Sequence, residues 1–320
     1  MTGEFVPSGE TKRGRFTYLS EKTGRPKHRE LEYGIVDGLA VFEGDIILGT
    51  EEELAVAEDA GAPQPDADEG SDPLSGILEV VIVSSPEQLW PEPVIPYTID
   101  PALLHQDFVA DAIAHWEKHT PLRFVTRQDE EDYITFRPST SSRSYAGRKS
   151  GQQFIELAPL FSPGTVIHEI GHALGLWHEQ SREDRDDYVT INWENIIPGC
   201  EHNFTQRIAD GDDVGTYDYD SIMHYPSFAF STNNLDTITA PPGVTIGQRN
   251  RLSLGDIEGI SGLYGEGVFY VGNRSSRALH ERDCRWVDRM AASNKTYFTA
   301  LEQAIAHGYR ACRSCFPPAG

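Results

Sequence analysis

The chain lacks several things a 320-residue protein often has. It has only 4 cysteines, too few for a disulfide-dense scaffold. No apolar run approaches the roughly 18–20 residues of a membrane span, so no membrane partner is expected. The opening MTGEFVPSGETKRGRF has no apolar stretch of the kind a secretory signal needs. From Glu30 to Glu117 there is not one Lys or Arg, against 21 acidic residues. The net charge of −23 argues against a general nucleic-acid binder, which phosphates would repel.

What is present divides the chain. At about 150 residues per domain the length holds about two domains, and 38% hydrophobic residues rule out wholesale disorder. Residues 1–85 carry 7 basic and 18 acidic side chains, whereas residues 267–320 carry 8 basic and 4 acidic ones. That change of sign marks a boundary. The segment 60–73, AGAPQPDADEGSDP, is a linker by composition. We therefore expect an N-terminal segment with an acidic linker (1–76), a main domain (77–266) and a small basic domain (267–320).

Residues 1–29 are polar and read as poorly ordered. Residues 31–50 read as short strands around Asp-Gly and Gly-Asp turns, followed by a helical turn or two at 51–58. In the main domain, strands are expected at 77–85, 122–126, 132–138 and 154–157. Leu104, Phe108, Ala112 and Trp116 fall at helical spacing and predict an amphipathic helix over 102–119. Further helices are expected at 164–177 and 256–264, and one at 299–307 in the basic domain. No internal repeat is present.

The chemistry concentrates in HEIGHALGLWHE (168–179). His168 and His172 are four apart, so on a helix they share a face about one turn apart. That geometry suits two imidazoles on one zinc ion. Gly175 can adopt positive φ and break the helix, which lets His178 return to the same metal. Three nitrogens leave a coordination position open, the mark of a catalytic rather than a structural zinc. Glu169, beside the first ligand, is placed to act as general base.

The extended motif is the metzincin signature, and the chain resembles the astacin family of zinc endopeptidases from about Leu89 to Tyr264. LWPEPVIPYTI (89–99), SYAGR (144–148), HEQSREDRDDYVTINWENI (178–196) and SIMHY (221–225) carry the likeness. The resemblance implies an α+β fold of two subdomains. An upper one has a twisted sheet and two helices, and a lower, more irregular one follows Gly175. A peptide substrate would lie between them as an added edge strand. It also implies that Met223 forms a Met-turn under the zinc, although a core methionine would read the same. Tyr225 would be a fifth zinc ligand at rest and would assist the oxyanion during reaction. Glu179 would meet a new N-terminal ammonium after activation.

FEGDI (42–46) resembles the family's propeptide motif, in which the aspartate takes the water's place on zinc. Asp45 is then the latent-state ligand, against the plainer reading of Gly-Asp as a turn. The family's four disulfide cysteines fall at Pro121, Ser142, Leu160 and Glu266, and Cys200 has no evident cysteine to pair with. A reducing compartment fits, as does a fold stable without disulfides. The expected location is the cytoplasm, or the outside by a nonclassical route.

In the basic domain His280, Cys284, Cys312 and Cys315 form two close pairs, as in a structural Cys3His zinc site. The segment resembles the metal-binding module of the Ada repair protein. His280 stands where that module has its methyl-accepting cysteine, so methyl transfer is not expected. The basic charge permits nucleic-acid contact. The expectation is a monomeric, self-inhibited zinc endopeptidase with two zinc ions acting on proteins or peptides. The competing reading is a zinc-stabilised scaffold that binds protein or DNA without hydrolysis.

Overall fold

The computed structural model describes residues 10–19, 26–54, 88–91, 93–206, 216–265, 270–281, 284–287, 289–290, 294–298, 301–312 and 315–316. The strand expected at 77–85 lies outside these residues, as does the whole linker at 60–73.

The main sheet joins two stretches of sequence. The N-terminal segment supplies β1 (Glu10–Leu19), β2 (Pro26–Val36), β3 (Leu39–Phe42) and β4 (Ile46–Thr50) as an antiparallel meander. The following domain supplies β5 (Val94–Ile99), β6 (Arg123–Thr126), β7 (Tyr133–Pro138), β8 (Arg143–Tyr145) and β9 (Gln152–Leu157). The order is β1-β2-β3-β4-β8-β9-β7-β5-β6. The two parts meet where β4 pairs parallel to β8, Ile46 opposite Ser144 and Ile47 opposite Tyr145. Residues 10–19 and 26–29, expected to be poorly ordered, are thus strands. Their backbone is satisfied by the β1–β2 ladder, and Lys12 is tied to Glu51, 39 positions on.

Two helices pack on the sheet. The first, α1 (Gln106–His119), buries Val109, Ala112, Ile113 and Trp116. It starts later than 102 because His105 adopts φ 54°, and Leu104 is consequently exposed. The second, α2 (Pro163–Ala173), begins with a Ser162–Thr165 capping box and proline in its first turn. Two buried indoles hold its backbone: Trp116 donates to the Ile167 carbonyl (3.1 Å) and Trp90 to the Ala173 carbonyl (2.9 Å). The helix stops at Ala173, short of the expected 177. Leu174 caps it and Gly175 turns the chain at φ 105°.

Beyond Gly175 the structure is irregular. Short 3-10 turns and the two-stranded pair β10 (Thr190–Ile191) and β11 (Ile238–Thr239) surround a second core that includes Phe204, Tyr217, Tyr225, Phe230 and Ile238. Helix α3 (Leu254–Tyr264) returns to the upper core through Ile260. The C-terminal domain forms a separate sheet of β12 (Tyr270–Asn273), β13 (Ala278–Glu281), β14 (Lys295–Phe298) and β15 (Arg310–Ala311), with a short helix over Leu301–Ala306. The four cysteines form no disulfide. Among the described residues no helix is long and apolar enough to cross a membrane.

A candidate metal centre closed by an upstream aspartate

Helix α2 carries His168 and His172 on one face, and the turn at Gly175 brings His178 to them. All three are buried. Each ring is held by its Nδ1, leaving Nε2 to point inward. His168 Nδ1 meets the Ile222 carbonyl at 2.8 Å, His172 Nδ1 the Leu176 carbonyl at 2.9 Å, and His178 Nδ1 the Glu43 carboxylate at 2.9 Å. Such outer partners fix tautomer and orientation in histidine metal sites.

The fourth corner is Asp45, fully buried on a turn where Glu43 and Gly44 have φ 47° and 77°. Its Oδ2 is 3.2 Å from Nε2 of His168 and 3.3 Å from Nε2 of His178, and its Oδ1 is 3.6 Å from Nε2 of His172. The last distance is too long for a hydrogen bond, and Asp45 Oδ1 and His172 Nε2 are both buried without a hydrogen-bond partner. Ligands about 2.0–2.2 Å from a tetrahedral zinc lie roughly 3.3–3.6 Å from one another. The spacing is that of donors around an ion, and the residues fit zinc.

The electrostatics agree. Burial pushes the Asp45 pKa up, but His178, His172 and the contact with His168 overcome this and hold it well below the usual range. Burial lowers His168 and His172, favouring the neutral form that ligates metal. His178 faces carboxylates on both ring nitrogens. They outweigh its burial and raise it to about 9, and metal binding displaces the Nε2 proton.

Glu169 is fully buried on α2 between the two histidines. Met223 is buried beneath that helix, and a Cβ at Gly171 would come within 2.6 Å of its Sδ. The turn is fixed from below by Asp256, which accepts from Ser221 Oγ (2.7 Å) and Ile222 N (3.0 Å). Tyr225 packs edge-on against His178, ring centroids 4.5 Å apart, and its hydroxyl donates to the Glu43 carbonyl. Burial holds that phenol well above its usual pKa, so it remains a donor. Glu179 accepts from Asp218 N at 2.7 Å and lies 3.6 Å from Arg182; burial raises it to about 8.

A family model for the astacin peptidases matches residues 82–265. The chain belongs to the astacin family. Bone morphogenetic protein 1 of Xenopus laevis is 44% identical over 195 residues, 57% of this chain and 27% of that protein. Zinc metalloproteinase nas-14 of Caenorhabditis elegans is 35% identical over 255 residues, 75% of this chain and 50% of that protein. The solved structure of high choriolytic enzyme 1, a hatching enzyme zinc-protease from Oryzias latipes, aligns with TM-score 0.50 and 40% identity over 57% of this chain and 94% of that one. The chain thus spans half or less of the length of these two curated relatives. In this astacin-family chain the catalytic metal is zinc, as in the family.

A second model, the metal binding domain of Ada, matches residues 264–318. There the four expected ligands converge within 4.8 Å. His280 Nδ1 is 3.4 Å from Cys284 Sγ and 3.9 Å from Cys315 Sγ, the spacing of nitrogen and sulfur around one zinc.

Sequence reasoning missed three residues: Glu43, Gln180, whose Oε1 accepts from Tyr225 N (3.0 Å), and Arg249, whose Nη1 donates to the Ile222 and His224 carbonyls (2.9 and 3.0 Å). Glu43 and Gln180 had a signal, their places inside FEGDI and HEQSREDRDDYVTINWENI; Arg249 had none.

Proposed function

We propose that this chain is a zinc endopeptidase held latent by residues upstream of its linker, with protein or peptide substrates. One observation carries the reading: three histidine Nε2 atoms converge and an upstream aspartate fills the fourth corner. A carboxylate there excludes the water that a catalytic site must hold. The zinc, when bound, polarises the scissile carbonyl and lowers the pKa of a water. His168, His172 and His178 hold it. Glu169 takes the water's proton and delivers it to the leaving amine. Tyr225, once released from Glu43, donates its hydroxyl to the oxyanion. β8 presents its edge to a substrate strand when β4 has left it.

The test compares wild type, Asp45→Ala and Glu169→Gln on a denatured protein. Uncleaved Asp45→Ala is expected to be active where the wild-type precursor is not. Glu169→Gln, freed of its upstream segment, should lose about 10²–10⁴-fold in kcat with zinc retained. Equal cleavage by Glu169→Gln and wild type would refute the mechanism, and a silent Asp45→Ala precursor would refute the latency.

A further inference from the structure

Asp45 is not the only carboxylate that the upstream turn brings to the metal centre. Glu43 is fully buried, and its Oε2 lies 2.9 Å from Nδ1 of His178. It occupies φ 47°, a region disfavoured for a side-chain-bearing residue and tolerated where the surroundings over-determine it. The carbonyl of the same residue receives the Tyr225 hydroxyl.

The three ligands differ in where their outer partners come from. His168 and His172 turn Nδ1 to main-chain carbonyls of their own domain. His178 turns Nδ1 to the upstream segment and to a carboxylate. A carboxylate partner raises the donor strength of an imidazole more than a carbonyl does, because it stabilises the positive charge that builds on the ring as the lone pair is shared.

We infer that Glu43 is a metal-positioning residue of the latent form: it accepts the Nδ1 proton of His178, fixes that ring with Nε2 toward the ion, and strengthens zinc binding beyond what Asp45 supplies. The inference rests on the latency reading above. Its consequence is that the precursor is the form that loads zinc, and that departure of the upstream segment removes one ligand and one outer partner together.

The experiment uses the full chain as wild type, Glu43→Ala and Glu43→Gln, each titrated with a competing zinc chelator. The thiols of Cys284, Cys312 and Cys315 report the C-terminal ion separately. Glu43→Ala is expected to weaken the histidine site by about 10–100-fold and leave the thiol-reported site unmoved. Glu43→Gln keeps an acceptor without the charge, so it should fall between. Removal of the upstream segment by limited proteolysis erases the substitution, so all three chains should then give enzyme of equal activity, which controls for folding. An unchanged chelator midpoint in Glu43→Ala overturns the inference, as does equal weakening of both zinc sites. Asp45→Ala separates it from the reading on which it rests. If that precursor is silent while Glu43→Ala loses zinc, latency fails and the positioning role stands.

Discussion

Gly44 is the pivot of the upstream turn, and replacing it with alanine is expected to unlock the precursor. Its φ is 77°, and a Cβ there would lie 2.5 Å from Cζ and 3.2 Å from Cε2 of Phe230. The left-handed backbone costs an alanine about 1–2 kcal/mol, and crowding a packed ring typically costs about 1–3 kcal/mol. Both costs fall on the docked turn and neither on a segment that has swung away. Their sum, about 2–5 kcal/mol, raises the undocked fraction roughly 30- to 4000-fold at 1.4 kcal/mol per factor of ten. The assay is the initial rate of uncleaved Gly44→Ala on a quenched fluorogenic peptide, with chain integrity confirmed by mass. Asp45→Ala serves as the reference for a precursor that keeps the turn but lacks its carboxylate. A Gly44→Ala precursor as silent as wild type, beside an active Asp45→Ala, would show that Phe230 yields to the methyl group and would refute the packing argument.

Three further outcomes are expected. Tyr225→Phe should lower kcat of the enzyme freed of its upstream segment by about 10²–10³-fold, with zinc content unchanged. Glu156 is buried and accepts from Arg137, Arg143 and Ser139. In the enzyme freed of its upstream segment, and so of Asp37, Glu156→Gln leaves the buried Arg143 without a carboxylate partner and should cost about 3–5 kcal/mol, a fall in Tm of roughly 6–20 °C by calorimetry. Asp37 reaches from the upstream segment to Thr140 and, at 3.0 Å, to Arg143, and these hydrogen bonds lower its pKa from 3.8. Its contribution is therefore complete above about pH 4 and is lost as pH falls through the lower folded value. Thermal denaturation of the precursor in acid should show this loss, and Asp37→Asn should remove it.

The metal site was legible because its information is local. His168, His172 and Gly175 are set by helical period and backbone freedom, and the observed φ of 105° at Gly175 is what the glycine implied. Asp45 could be named because a short motif surrounds it. Arg249 and Asp37 could not be named, since their partners lie 25 to 106 positions away and no short motif or periodicity encodes such contacts. Residues 10–19 and 26–29 were misread for a related reason. Their composition is polar, and what orders them is pairing with one another and an ion pair across the sheet. The start of α1 was placed too early because Leu104 fits the apolar spacing, while His105 breaks the helix just after it.

The seam between β4 and β8 also bears on how the protein can be stored. With β4 in place, the nine-stranded sheet ends on that side at β1, which carries Lys12 and Arg13, and charged residues on an outer strand discourage pairing between molecules. Without the upstream segment the open side would be β8, only three residues long and followed by a turn at Gly147 with φ 69°. So short an edge can grip one extended peptide but offers little template for a second copy of the sheet. On the latency proposed above, a chain that offers a strand edge to its substrate exposes that edge late and keeps it brief.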